Sequence, residues 1–137
     1  MTDTFELEIV TPDRLVAKVA AEEAQLPGKD GYIGVLPGHA PLITELTAGE
    51  MSYVSAGITY RLAVAWGFAE VLQDKVTVLA ETAEAPSEID VAAAQKSKAK
   101  AEAELMSAAP DTDYDELLGE VKLADTRLQV ASEGGHK

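Results

Sequence analysis

The stretch Leu26 to Leu46, LPGKDGYIGVLPGHAPLITEL, decides the fold of the chain. It carries three turn signals in quick succession: Leu26-Pro27-Gly28, Asp30-Gly31 and Pro37-Gly38. Proline presets φ at about −65° and glycine accepts positive φ, so each Pro-Gly predicts a tight turn. Short apolar runs lie between the turns, Tyr32-Ile33 and Val35-Leu36, and Leu42-Ile43 follows Pro41. A helix cannot run through breakers at this spacing, so the stretch predicts closely spaced short strands. It holds no nucleophile beside a base. Its turns read as shaping a surface on which something else docks.

The flanks extend the pattern. Phe5-Glu6-Leu7-Glu8-Ile9 alternates apolar and acidic residues, the signature of a strand with one buried face. Further strands are expected over residues 15–21, 49–55, 57–65, 67–72 and 75–80. Short strands at roughly 8–12-residue spacing predict a β-sandwich or barrel. Beyond Pro86 the composition changes to Ala, Lys and Glu, with no glycine until Gly119. Ser87 with Asp90 resembles a capping box, and Asp113 with Glu116 marks a second helix start. The expected helices run about 88–107 and 113–132, joined by a break at Ala108 to Thr112. Residues 133–137 read as a frayed end.

Both helices carry a 3-4 spaced stripe. Ile89, Ala92, Lys96, Ala99, Ala103 and Met106 form the first, and Tyr114, Leu117, Val121, Ala124, Leu128 and Ala131 the second. Such stripes predict an antiparallel hairpin. Lys96 intrudes on its seam and is expected to snorkel to the edge, whereas Lys98 and Lys100 lie off the seam, free to reach a partner. The domains are therefore 1–86, an all-β sandwich of about ten short strands, and 87–137, a helical hairpin.

Composition narrows the function. The chain has 137 residues, 47% of them hydrophobic, which suffices for a sizeable core, and no apolar run approaches a membrane span. Its start, MTDTFELEIV, matches neither a secretory signal nor a transit peptide. With no cysteine, disulfides and thiolate chemistry are excluded, and the chain reads as intracellular. The formal net charge is −13. Residues 1–86 hold five basic and thirteen acidic side chains (net −8), and residues 87–137 hold six and eleven (net −5). That balance argues against nucleic acid or anionic lipid as a partner. Only His39 and His136 are available as imidazoles, and no cluster has metal-ligand spacing. Gly28-Lys29-Asp30-Gly31 lacks the Ser or Thr and the following helix that a phosphate loop needs. Ser52 and Ser55 have no His within sequence reach. No active site is visible, and the residues alone predict an interaction protein.

The run Gly34-Val35-Leu36-Pro37-Gly38-His39-Ala40-Pro41-Leu42 resembles the signature turn region of ATP synthase epsilon subunits, whose mitochondrial counterpart is called delta. Leu26-Pro27-Gly28, Gly67-Phe68-Ala69-Glu70-Val71, Val76-Thr77-Val78-Leu79-Ala80, Ile89-Asp90 and Asp113-Tyr114 fall at the family's places as well. The chain departs at Trp66, where the family usually has a first glycine before Gly67. The resemblance implies a non-catalytic rotor subunit of the central stalk. Such a subunit couples proton flow to ATP synthesis and restrains ATP hydrolysis through its hairpin. The implied partners are the gamma subunit, the ring of c subunits and, transiently, the beta subunit. The implied location is peripheral, on the cytoplasmic face of a bacterial membrane, with no direct insertion. Lys29, Asp30 and Tyr32 are the implied c-ring contacts, with His39 near gamma. Lys96, Lys98, Lys100, Lys122 and Arg127 are the implied cations for an acidic loop of beta.

Some bacterial relatives bind ATP through Ile/Leu-Asp-x-x-Arg-Ala and further arginines on the second helix. Here the motif reads Ile89-Asp90-Val91-Ala92-Ala93-Ala94, with Ala93 in place of the arginine. Arg127 holds one of the later positions and Leu123 the other. Asp90 and Arg127 are thus the remnants of a nucleotide site, no cofactor is expected, and ATP binding is expected to be weak or absent. The alternative to a stalk subunit is a free-standing regulatory module that binds a small ligand, and a small β-fold enzyme is the third reading.

Overall fold

The apolar–acidic alternation of Phe5–Thr11 places Phe5, Leu7 and Ile9 on one buried face. In the computed structural model, which describes residues 3–107 and 109–133, this segment is β1 of an eight-stranded arrangement. The others are β2 (Arg14–Ala21), β3 (Glu23–Gly28), β4 (Gly31–Val35), β5 (Leu42–Leu46), β6 (Gly49–Ser55), β7 (Ile58–Val71) and β8 (Lys75–Glu84). One layer has the order β2-β1-β8-β7-β5, with β1 and β8 parallel and the other neighbours antiparallel. The second layer pairs β4 with β3, β3 with β6, and β6 with the first half of β7. The core between the layers includes Leu7, Ile9, Leu26, Met51, Val64, Val71, Val76 and Val78, all fully buried. Each such aliphatic side chain contributes roughly 1.5–3 kcal/mol relative to an exposed one.

The strands number eight among the described residues because β7 runs through the point at which the spacing suggested two strands. It pairs with β6 up to Val64 and with β5 from Gly67 onward. Between these halves Trp66 has φ 51 and Gly67 φ 126, a bend that carries one strand from one layer into the other. A Cβ on Gly67 would collide with the Leu79 carbonyl oxygen, so glycine is obligatory there. The Leu26-Pro27-Gly28 turn is also corrected: Pro27 and Gly28 end β3, opposite Tyr32 and Gly31, and the chain reverses at Lys29-Asp30. Proline fits because its carbonyl accepts from Thr47 N at 3.0 Å, while its missing N–H leaves no donor to satisfy.

A single 3-10 turn, Pro86–Glu88, precedes α1 (Val91–Met106) and α2 (Tyr114–Glu133). The first helix starts later than its composition suggests. Asp90 is its N-cap, accepting from Ala93 N at 3.0 Å, and Ser87 caps nothing. Glu88 instead accepts from Ala85 N and ion-pairs with Arg14 at 2.8 Å, which ties the linker to the β1–β2 turn. Asp113 does cap α2, accepting from Glu116 N at 3.1 Å.

The stripe expected on the first helix faces the wrong way. Ala92, Lys96, Ala99, Ala103 and Met106 are exposed, while Ala94 and Ala101 are buried with Lys98 and Leu105 half-buried between and beyond them. Alanine lies on every side of this helix, so 3-4 spacing alone does not select a face. Lys96 is accordingly no seam intruder. On α2 the stripe holds from Leu117 through Val121, Ala124 and Leu128, although Tyr114 is exposed. The helix α2 packs on α1 and on β6 and β7, so it lies between its partner helix and the sandwich.

Gly67→Ala should destabilise the chain by at least about 2 kcal/mol in urea unfolding, through positive φ and the collision with Leu79. Gly34→Ala, with nothing within 4 Å of the added methyl, should stay within about 0.5 kcal/mol of the parent.

Candidate functional site

The residues implied to dock the sandwich do not form one cluster. Lys29 and Asp30 occupy the β3–β4 turn, with Lys29 N donating to the Glu45 carbonyl at 2.8 Å and its ammonium 3.7 Å from the Glu45 carboxylate. Tyr32 is 59% exposed, and its hydroxyl reaches back to the backbone at Glu50. Burial of part of the ring edge raises the phenol's pKa. Lys29 and Tyr32 share a recess of about 320 Å³ with Lys122 and Gln129 of α2. His39 stands toward the opposite end of β5. Its turn is held by Gly38 N donating to the Gln73 carbonyl at 2.8 Å, beside the β7–β8 connection. Its Nδ1 lies 2.6 Å from the Ala40 carbonyl oxygen, so that nitrogen carries the hydrogen.

Between these ends lies a feature that the sequence reading missed. Across the outer face of the first layer, Phe68 pairs with Leu79, Leu79 with Val10, and Val10 with Leu15. Phe68 is 56% exposed, Leu79 54% and Leu15 54%, and Ile43 on β5 is 70% exposed beside the same row. Glu45, directly opposite Phe68, and Glu70, opposite Ile43, border it with carboxylates. The alternation in β1 and β8 marks one face as core, but only the pair register lines the outward residues of four strands into one row. Soluble proteins rarely expose contiguous apolar patches, and larger ones mark interaction sites.

The five hairpin cations are divided. Lys98 is directed toward α2, 2.7 Å from Asp125, and that carboxylate raises the lysine's pKa. It is therefore not free, contrary to its place off the expected seam. Arg127 is 2.6 Å from Glu84 at the end of β8, and Lys122 donates to Thr47 Oγ1 at 3.3 Å. Lys96 and Lys100 are exposed and make no ion pair with a described residue. Asp90 and Arg127 do not meet: Asp90 caps α1 on the outer side of the hairpin, and Arg127 lines the groove between the helices and Trp66. That groove measures about 1020 Å³ and is bordered by Glu104, Asp113, Asp115, Glu116 and Glu120, a poor setting for phosphate.

The last turn of α2 meets the sandwich at a charged triad. Arg61 of β7 lies 2.9 Å from Glu50 of β6 and 3.3 Å from Glu133. Glu50 is mostly buried, and its Oε1 has no hydrogen-bond partner. Burial first, and the neighbouring Glu133 carboxylate second, push its pKa up despite Arg61. Glu133 is thus helical and engaged rather than frayed, whereas residues 134–137, including His136, lie outside the described residues. Among the described residues no group of three His, Asp or Glu side chains could hold a metal ion, and no helix is long and apolar enough to cross a membrane.

Comparison with known proteins assigns both halves. Residues 4–86 match the family model for the beta-sandwich domain of the ATP synthase delta/epsilon chain, and residues 87–132 match the model for its long alpha-helix domain. The chain is 65% identical over 111 residues to the ATP synthase epsilon chain of Koribacter versatilis, covering 81% of this chain and 78% of that one. It is 43% identical over 136 residues to ATP synthase epsilon chain 2 of Syntrophotalea carbinolica, covering 98% and 99%. A chain in the Euglena gracilis mitochondrial ATP synthase has the same fold, with a TM-score of 0.77 at 22% identity over 98% of this chain and 84% of that one.

The triad sets a pH dependence of known sign. A carboxyl whose folded pKa is raised contributes stability below its unfolded pKa and loses it as pH rises through the folded value. Glu50→Gln, a mimic of the protonated form, should therefore raise the melting temperature near neutral pH. The gain should vanish at about pH 4, near the ordinary carboxylate pKa. Thermal scans at the two pH values check this, and a gain of equal size at both would contradict it.

Proposed function

The chain belongs to the ATP synthase delta/epsilon family, and on that premise we propose that it works as an epsilon-type central-stalk subunit, an accessory part of an F-type ATP synthase. It carries no catalytic group of its own, and its task is mechanical and regulatory. In this reading residues 1–86 are the docking domain and residues 87–137 the regulatory one. The subunit sits peripherally on the cytoplasmic face of a bacterial membrane, held by protein contacts.

The observation that carries the docking reading is the apolar row Phe68, Leu79, Val10 and Leu15 with Ile43 beside it. A rigid sheet face of this kind suits a permanent neighbour, and the gamma subunit is its occupant here. His39, on the β7–β8 side, lies toward that contact, and Lys29, Asp30 and Tyr32 on their separate turn contact the c ring. Permanent attachment needs buried apolar area, and torque transmission needs a face that does not deform, which a hydrogen-bonded sheet supplies.

The hairpin's role follows from where its cations are spent. With α2 on the sandwich, Lys98, Lys122 and Arg127 are engaged by Asp125, Thr47 and Glu84. Lys122 and Arg127 become available to an acidic loop of the beta subunit only when the hairpin leaves, and Lys98 only when α1 and α2 also part, because its partner Asp125 is on α2. The docked hairpin is therefore the permissive state, and release exposes the inhibitory one. Lys96 and Lys100 remain accessible in both and make first contact.

Phe68→Asp with Leu79→Asp should leave the isolated sandwich folded, since both side chains point to water. It should lower affinity for the rest of the stalk by at least about 100-fold, or roughly 2.7 kcal/mol. Size exclusion of solubilised membranes reads this directly: the parent should elute with the large complex and the variant apart from it. Co-elution of both would overturn the docking reading. For the nucleotide remnant, Asp90 is used as a cap and Arg127 by Glu84. Isothermal titration with ATP should give no heat at micromolar concentrations, and micromolar binding would contradict the assignment.

A further inference from the structure

Two residue choices in this chain are each locally unfavourable. Trp66 holds φ 51, a left-handed conformation that a bulky side chain rarely adopts. Gly119 lies inside α2, where glycine weakens a helix relative to almost any other residue. The structure brings the two together. A Cβ added at Gly119 would stand 3.3 Å from Cζ2 of Trp66, so the missing side chain is the space against which the indole edge rests. Sites at which a sequence violates local preference twice, with one contact accounting for both, mark a selected interaction.

We propose that Trp66 and Gly119 form a peg and notch that hold the helical hairpin on the sandwich without any bound ligand. Trp66 is anchored in the bend of β7, whose second residue Gly67 cannot be replaced, so the peg is fixed to the most constrained point of the sandwich. The notch lies in α2, the helix that carries the hairpin's contact with β6 and β7. The polar ties across this boundary are Lys122 to Thr47, Arg127 to Glu84 and Arg61 to Glu133, and α2 also buries Val130 fully. Partly exposed polar ties trade readily with water and hold little. The indole is an apolar body with a shape-matched seat, and it supplies what they do not. The groove it lines, about 1020 Å³ with an acidic border, is thereby propped by a side chain of the chain itself. The consequence for the assembly, a hairpin biased toward its docked position, rests on the reading of the hairpin as the regulatory element. The clamp does not.

Two variants of the full chain test it, read by segment-resolved hydrogen exchange and by fluorescence. Trp66 is the sole tryptophan, so its emission and acrylamide quenching report on the seat directly. Trp66→Gly relieves the positive φ while removing the peg. Exchange in α2 should quicken by about tenfold or more, with β7 and β8 as protected as before or better. Gly119→Leu strengthens the helix but fills the notch. Quenching of Trp66 should rise toward that of a free indole, with α2 still helical by circular dichroism. Unchanged α2 exchange in the first variant, or unchanged quenching in the second, would overturn the clamp. Loss of protection throughout the sandwich in either would do so too, because Trp66 would then be ordinary core. Neither readout involves ATP synthesis or hydrolysis, so failure here is distinct from failure of the stalk-subunit reading.

Discussion

The bend at Trp66-Gly67 is the constraint on which the rest of the structure depends. A 14-residue strand serves both layers only if it turns between them, and it turns where two consecutive residues take positive φ. The absence of a Cβ on Gly67 lets β7 lie against the Leu79 carbonyl, and that approach keeps β7 and β8 in register through the bend. The register sets Phe68 opposite Leu79 and Leu79 level with Val10, which forms the apolar row. The same bend places Trp66 where α2 arrives. The outward apolar row and the contact with α2 are thus two sides of one backbone feature.

Charge works on a different scale from this packing. The chain carries a formal net charge of −13, yet its cations are not diffuse: among the described residues Arg14, Lys29, Arg61, Lys75, Lys98 and Arg127 each pair with one or two carboxylates. Arg14 fixes the linker through Glu88, Lys75 bridges Glu6 and Glu8, and Lys98 links the two helices. Exposed pairs of this kind add little stability. What they do is orient segments, and in the hairpin they occupy charges that would otherwise be presented outward. Lys75 and Arg61 each serve two acids, but the Glu50–Arg61–Glu133 triad differs in that one of its acids, Glu50, is mostly buried.

Much of this was legible in the residues. Alternation in Phe5–Thr11 and the change of composition after Pro86 separate a β domain from a helical one, and the run Gly34 to Leu42 carries the family resemblance. Three features were not legible, each for a physical reason. Pro27-Gly28 reads as a turn because local preference says so, but pairing with Tyr32 and Gly31 keeps it extended. The face of α1 was misjudged because alanine surrounds that helix, and only the position of α2 decides which alanines are covered. The apolar row depends on pairing between strands far apart in sequence, which spacing within one strand does not encode. Trp66 stands out as a departure from its family, but nothing in the spacing of the sequence pairs it with Gly119.

The central claim is that the outer face of the β5-β7-β8-β1-β2 layer is the permanent contact of this subunit with its complex. Hydroxyl-radical footprinting of Phe68, Leu79 and Leu15, in the free chain and in the intact ATP synthase, measures it most directly. The account predicts strong labelling of all three when free and near-complete protection in the complex, with Met106 on the outer face of α1 labelled in the free chain as a control. Equal labelling of the row in both states would contradict it.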